Sequence, residues 1–284
     1  RMTLTIGDDI FDLSGIWQYA VTAEADRDCP FEDFVRWKPT GLYNAMLAPC
    51  FPYAVRAVLW YQGESNTGDY AMRYGDELKA MIELWRGKWH QPDMPFLIVQ
   101  LPKFGIDAIE DGGWPLIREQ EWRVADELEH VAAVVTLDAG ESNDLHPHDK
   151  KTIADRAFNV AMDFVYGQQA QPQPVVETAE ADDGLLRMHC VWRNSMGEQM
   201  QSQNRHLMTL DGDVPREIDF LWHDCATSVR GEAWLDGCDI VARIPSRMPD
   251  EVRYAWSNSP ESGLICDGDG VLLPPFHLPL PMVD

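Results

Sequence analysis

The chain has 284 residues, and 45% of them are apolar, so it can bury a sizeable core as one large domain or two modest ones. Its 23 Lys and Arg stand against 47 Asp and Glu, a formal charge of −24. That balance keeps the chain soluble and repels phosphate backbones and anionic membrane surfaces, which argues against nucleic-acid and membrane partners.

The six cysteines form no C-x-x-C pair and no zinc-type spacing, so they read as free thiols rather than a disulfide or metal framework. No run of apolar residues is long enough to span a bilayer. The first residues, RMTLTIGDD, carry no secretion signal and no initiator methionine at position 1. An extracytoplasmic and a cytoplasmic setting both fit.

Residues 1–20 read as strand fragments with a glycine turn, and 24–41 as irregular. From 54 to 61 the chain is almost continuously apolar, as a strand buried on both faces should be. Residues 69–89 have helical spacing: Tyr74, Leu78, Met81, Ile82, Trp85 and Trp89 share one face, with Thr67 or Asp69 as cap. A second buried strand spans 95–101. A helix begins near Pro115, with Ile117, Val124, Ala125 and Leu128 inward. The third strand is 131–137. The last helix starts near Asp149, carries Ile153, Ala157, Val160, Ala161, Phe164 and Val165 on one stripe, and ends at Gly167.

Alternating strands and helices imply an α/β fold, a parallel sheet with flanking helices. Residues 168–174 read as a linker. Beyond it the helical period disappears, and short strand-like pieces between Gly, Pro, Asn and Asp turns predict a small antiparallel β domain over 175–284. The organisation is therefore 1–40 as a β fragment and connector, 41–167 as the α/β portion, the linker, and the β domain.

In an open parallel sheet, ligands bind beyond the carboxyl ends of the strands. The first strand ends in Gln62-Gly63-Glu64-Ser65-Asn66, and the third in a loop over 138–150 that holds Asp138, Asp144, His146 and His148. Both polar loops are expected to face one crevice. A histidine with a carboxylate two residues away fits a general base and its acid partner. Amide side chains and a glycine N–H on a neighbouring loop fit an oxyanion hole. Ser65 sits outside a G-x-S-x-G elbow and reads as a turn residue. Glu64 could serve as a base in its own right. His146 and His148 form an H-x-H that could hold a metal, a weaker reading because no further ligand cluster accompanies it.

Five segments, PTGLYNAMLAP (39–49), AVLWYQGESN (57–66), PFLIVQLPKF (95–104), NDLHPHDKKTIADRA (143–157) and VRYAWSNSP (252–260), resemble the sialate O-acetylesterase family of SGNH, or GDSL-like, hydrolases. The resemblance implies a cofactor-free and metal-free serine esterase that removes acetyl groups from sugar hydroxyls. It makes His146 the catalytic histidine, and Gln62, then Asn66, the oxyanion-hole side chain, with Gly63 and Glu64 in the same block. Many such enzymes place the acid three residues before the histidine. That position is Asn143 here, which leaves Asp144 and Asp138 as the two candidates.

The family's nucleophilic serine lies in a G-Q-S-N-like block upstream of these segments, and nothing before Trp60 matches it. Residues 1–20 resemble instead the end of a β domain that some members carry as an insertion. The chain thus reads as the C-terminal part of a longer esterase, inactive alone and partnered by the missing N-terminal region of the same protein. The alternative is a carbohydrate-binding relative without a nucleophile.

Overall fold

The structure is a computed structural model that describes residues 3–12, 14–15, 38–105, 113–168, 171–201, 205–225 and 227–280. The expected strand pieces over 16–20, most of the irregular stretch 24–41 and part of the 168–174 linker lie outside the described residues.

Residues 1–50 and 51–284 are two separate compact units. In the first, β1 (Thr3–Ile6) and β2 (Asp9–Asp12) form an antiparallel hairpin with Thr3 opposite Asp12. A π-helical turn over Tyr43–Leu47 runs into a 3-10 turn over Ala48–Cys50.

The second unit begins with the α/β layer. Strands β3 (Val58–Trp60), β4 (Phe96–Val99) and β5 (Val131–Val134) pair in parallel in the order β3-β4-β5. Helix α1 (Ala71–Trp89) links the first pair, α2 (Trp114–Glu127) the second, and α3 (Lys150–Phe164) follows β5. Side chains alternate across a strand. Phe96 and Ile98 therefore enter a core with Tyr74, Leu78 and Ile82 of α1 and Ile117 and Val124 of α2. Leu97 and Val99 enter a second core with Ile153 and Ala157 of α3.

The predicted apolar stripes are the buried ones. Trp85 and Trp89 of α1 are half-buried against the first core, where Trp85 meets Trp60 edge-on with centroids 5.9 Å apart.

Helix ends follow local chemistry. Asp149 caps α3 by accepting the Thr152 N–H at 3.0 Å. Gly167 takes φ +64 and donates its N–H to Asp163 O, closing the helix end as expected. Neither Thr67 nor Asp69 caps α1: a 3-10 turn over Gly68–Tyr70 feeds the helix directly, with Tyr70 at the N-cap and no side-chain cap bond.

Strand β3 departs from the expectation of burial on both faces, since Leu59 is 57% exposed. The reason is its position at the edge of the three-stranded sheet, while α3 packs on β4 and β5. The third strand is also shorter than its apolar run. It ends at Val134, and Val135 and Leu137 pass into the core of the β module.

After α3 the described residues contain strands and no helix. β6 (Gln173–Asp182), β7 (Leu185–Arg193), β12 (Glu232–Asp236) and β13 (Asp239–Arg243) form one antiparallel sheet, with β8 (Gln199–Met200) on β7. β10 (Ile218–Leu221), β11 (Val229–Arg230), β14 (Glu251–Tyr254) and β16 (Phe276–Pro279) form another. β9 (Leu207–Thr209) pairs with β15 (Ile265–Asp267). Trp192, Phe220, Tyr254 and Ile240 fill the core between the sheets.

This module grips α2. Arg118 is fully buried and donates to four carbonyls: Leu101 and Pro102 after β4, and Ser257 and Asn258 after β14.

Candidate active site

Parallel pairing puts the carboxyl ends of β3, β4 and β5 on one edge, and the loops that leave them meet there. Lys150 Nζ, at the start of α3, lies 5.3 Å from the centroid of the Tyr61 ring, at the end of β3. Gly105 N–H, after β4, donates to Ser142 O, after β5, at 2.8 Å. Gly140 backs onto the same post-β4 loop: a Cβ there would fall 2.2 Å from Lys103 O, so no larger residue fits.

The Gln62–Asn66 segment is a tight turn. Asn66 N–H donates to Gly63 O at 2.9 Å, and Glu64–Asn66 form a 3-10 turn. Below it, Tyr74 OH of α1 donates to Gln62 O and accepts from Trp60 Nε1 at 3.2 Å. Gln62 Nε2 donates to Asn66 Oδ1 at 3.1 Å, and Gly63 N–H donates to Glu64 Oε2 at 2.9 Å. A primary amide carries two N–H bonds. Among the described residues Gln62 therefore keeps one donor free, whereas the single N–H of Gly63 is taken by Glu64. Ser65 is exposed on this turn. Burial, then Glu64, Glu121 and Glu141, push the Tyr61 phenol up to about 12.

In the post-β5 loop, Asp144 Oδ1 accepts the backbone N–H of His146 at 2.8 Å. The His146 ring is exposed, and among the described residues it makes no hydrogen bond or ion pair. The imidazole that faces carboxylates is His148, with Nδ1 3.6 Å from Glu141 Oε1 and Nε2 3.8 Å from Asp144 Oδ2. Asp138 lies elsewhere: both its oxygens are held by Arg156 of α3, at 2.5 and 2.8 Å. The structure thus gathers Gln62, Gly63, Glu64 and Asn66 in one turn, keeps Asp144 with His146 in one loop, and commits Asp138 to an ion pair. No group of three or more His, Cys, Asp or Glu is arranged to hold a metal ion among the described residues.

The sequence reading placed Tyr74 on the apolar stripe of α1 without a role at the turn, and it missed Arg118 and Glu121 beneath it. The signal was present on α2, where Glu121 falls on the same inward stripe as Ile117 and Val124. A glutamate on a buried stripe is rarely passive.

A parallel sheet with helices on both faces, an amide-bearing turn after its first strand and a histidine loop after its third define the chain as an α/β protein. The family model for carbohydrate esterase, sialic acid-specific acetylesterase, matches residues 32–156. The chain is 30% identical over 264 residues to the sialate O-acetylesterase of Mus musculus, covering 83% of this chain and 47% of that protein. It is 30% identical over 174 residues to the Homo sapiens sialate O-acetylesterase, covering 53% of this chain and 33% of the other. A crystal structure of a carbohydrate acetylesterase from Xanthomonas citri superposes with a TM-score of 0.73 at 29% identity, over 84% of this chain and 53% of that one. The chain is therefore similar to the sialate O-acetylesterases, with the family model matching residues 32–156. It spans about half the length of the mouse relative and a third of the human one.

Proposed function

We propose that this chain provides the base and the oxyanion donors of a carbohydrate O-acetylesterase, which hydrolyses acetyl esters on sugar hydroxyls. The observation that carries the reading is the junction of the post-β3 and post-β5 loops at Tyr61 and Lys150, which brings the Gln62 turn and the His146 loop to one sheet edge.

In the proposed reaction a serine hydroxyl from the upstream region attacks the acetyl carbonyl while His146 takes its proton. The carbonyl π electrons move onto oxygen, where the free N–H of Gln62 stabilises the charge. Collapse breaks the bond to the sugar oxygen, which receives the proton from His146. Water, deprotonated by His146, then releases acetate and restores the serine. Asp144, whose carboxylate already fixes the backbone of His146, is the acid assigned to orient it.

The test is acetate release from acetylated sugars and from a nitrophenyl acetate. The protein carrying the upstream region should turn these over, and residues 1–284 alone should show only residual turnover. Robust turnover by residues 1–284 that is lost on Ser65→Ala would replace this mechanism with one that uses Ser65.

A further inference from the structure

Beneath the Gln62 turn lies a carboxyl that the proposed reaction does not use. Glu121, midway along α2, is 0% exposed. Its Oε2 accepts the N–H of Leu101, just past the end of β4, at 2.9 Å. Its Oε1 points toward the end of β3: a Cβ built on Gly63 would lie 3.2 Å from it, and 2.9 Å from Ile117 Cγ2. Oε1 has no hydrogen-bond partner among the described residues. One side chain therefore bonds the exit of β4 and lies directly beneath the exit of β3.

We propose that Glu121 is a positioning residue, which sets the Gln62–Gly63 segment against the end of β4. The oxyanion part of this role rests on the esterase reading above.

The protonated form suits the place. Burial raises the pKa of Glu121 well above the carboxylate range, and Glu64 raises it further, while the Leu101 N–H and Arg118 oppose the shift. The other ionisable groups near it are Tyr61 at the end of β3 and Tyr74 of α1, both of which its charge would also push up. A neutral acid keeps the Leu101 contact without placing a full negative charge under the groups assigned to an oxyanion. Ionised, the same carboxylate would oppose charge developing at the Gln62 amide.

The experiment uses residues 1–284 as they stand, with Glu121→Gln and Glu121→Leu. Gln keeps shape and acceptor, whereas Leu keeps volume alone. In amide NMR spectra, Leu should shift the Gln62 and Gly63 signals and speed their hydrogen exchange at least tenfold, and Gln should leave exchange unchanged. Stability against pH supplies an arm that needs no leucine variant. The native state holds the Glu121 proton above about pH 4.5, where the unfolded chain has released it, so wild-type stability falls as pH rises through that window. The Tm of Glu121→Gln should therefore gain on wild type as pH rises above about 4.5. In the protein carrying the upstream region, Leu should lower kcat about tenfold with KM unchanged, and Gln should restore it.

Superimposable Gln62 and Gly63 signals in Glu121→Leu, or a wild-type against Glu121→Gln difference that does not change with pH, would overturn the role. An absence of deacetylation in wild type would overturn the esterase reading instead, and the amide and Tm results would still decide the role of Glu121.

Discussion

Lys150 places its ammonium 5.3 Å from the centre of the Tyr61 ring, so the first residue of α3 meets the first residue after β3. A cation over an aromatic face contributes roughly 0.5–1 kcal/mol at an exposed site. Lys150→Ala should lower stability by about that amount and weaken with it the link between the Gln62 turn and the His146 loop. Tyr61→Phe keeps the aromatic face and should cost less than Tyr61→Ala. Ultraviolet titration should show the Tyr61 phenol still protonated at pH 10, because burial and the Glu64, Glu121 and Glu141 charges raise it to about 12.

Gly63 is required by space. A methyl there meets Ile117 Cγ2 at 2.9 Å and Glu121 Oε1 at 3.2 Å, and both neighbours belong to a packed helix. Overpacking of this kind costs roughly 1–3 kcal/mol. Gly63→Ala should unfold at correspondingly lower denaturant and should disturb the Gln62 amide. Gly87→Ala is the control, since a methyl at that position of α1 meets nothing within 4 Å. There the change should stabilise the helix by about 0.5–1 kcal/mol.

The contrast between these glycines shows which features were legible in the sequence. Periods of apolar residues recur over many positions, so the stripes of α1, α2 and α3 and the parallel pairing of the strands could be read directly. The start of α3 near Asp149 was legible too, because the apolar stripe begins just after it, while the capping bond itself came from the structure. Contacts made across the fold leave no local trace. Nothing around Gly63 in the chain points to Ile117, and nothing around Asp138 points to Arg156 eighteen residues on. Leu59 misled for a related reason: an apolar run predicts burial, while exposure depends on what lies at the sheet edge.

His277 of β16 is held between Glu119 of α2, with Nδ1 to Oε1 at 3.1 Å, and Glu251 of β14, with Nε2 to Oε2 at 2.7 Å. Glu251 also faces His223, and Arg253 lies beside it. The bond to Glu119 raises the imidazole pKa most; burial opposes it, and Glu251 adds to the rise. A raised histidine pKa stabilises the fold fully below the unfolded value of about 6.5, and the contribution disappears as pH rises through the folded value. His277→Gln should therefore lower Tm most between pH 5 and 6.5 and progressively less above. A deficit that does not change with pH would show that packing of the ring against Trp256, at 5.3 Å, is what matters.

Arg118 binds α2 to the β module through the Ser257 and Asn258 carbonyls. Removing a buried guanidinium that is hydrogen-bonded to four carbonyls leaves those acceptors unsatisfied, at about 1–3 kcal/mol for each that finds no other donor. Arg118→Met should lose stability on that scale. Arg118→Lys should rescue little, because an ammonium offers three donors from one point and cannot span carbonyls from two loops.

The two aspartates near the histidine loop should separate by what they damage. Asp138 gives both oxygens to Arg156, and both side chains are about three-quarters buried. Asp138→Asn leaves that guanidinium without its charge partner, so the loss should appear as stability, about 1.5–3 kcal/mol, with α3 loosened. The Asp144 carboxylate accepts the His146 N–H at 2.8 Å, on a loop where its second oxygen lies 3.8 Å from the His148 ring. Asp144→Asn should change Tm little. In the protein carrying the upstream region it should reduce deacetylation by orders of magnitude, as the loss of an orienting carboxylate does in triad enzymes. His146→Ala should abolish deacetylation, and Gln62→Ala should cost roughly 2.7–4 kcal/mol in the transition state. His148→Ala supplies the counter-test. If His148 rather than His146 is needed for activity, then Glu141 and Asp144, which flank its ring, orient the base, and the assignment moves two residues along the loop.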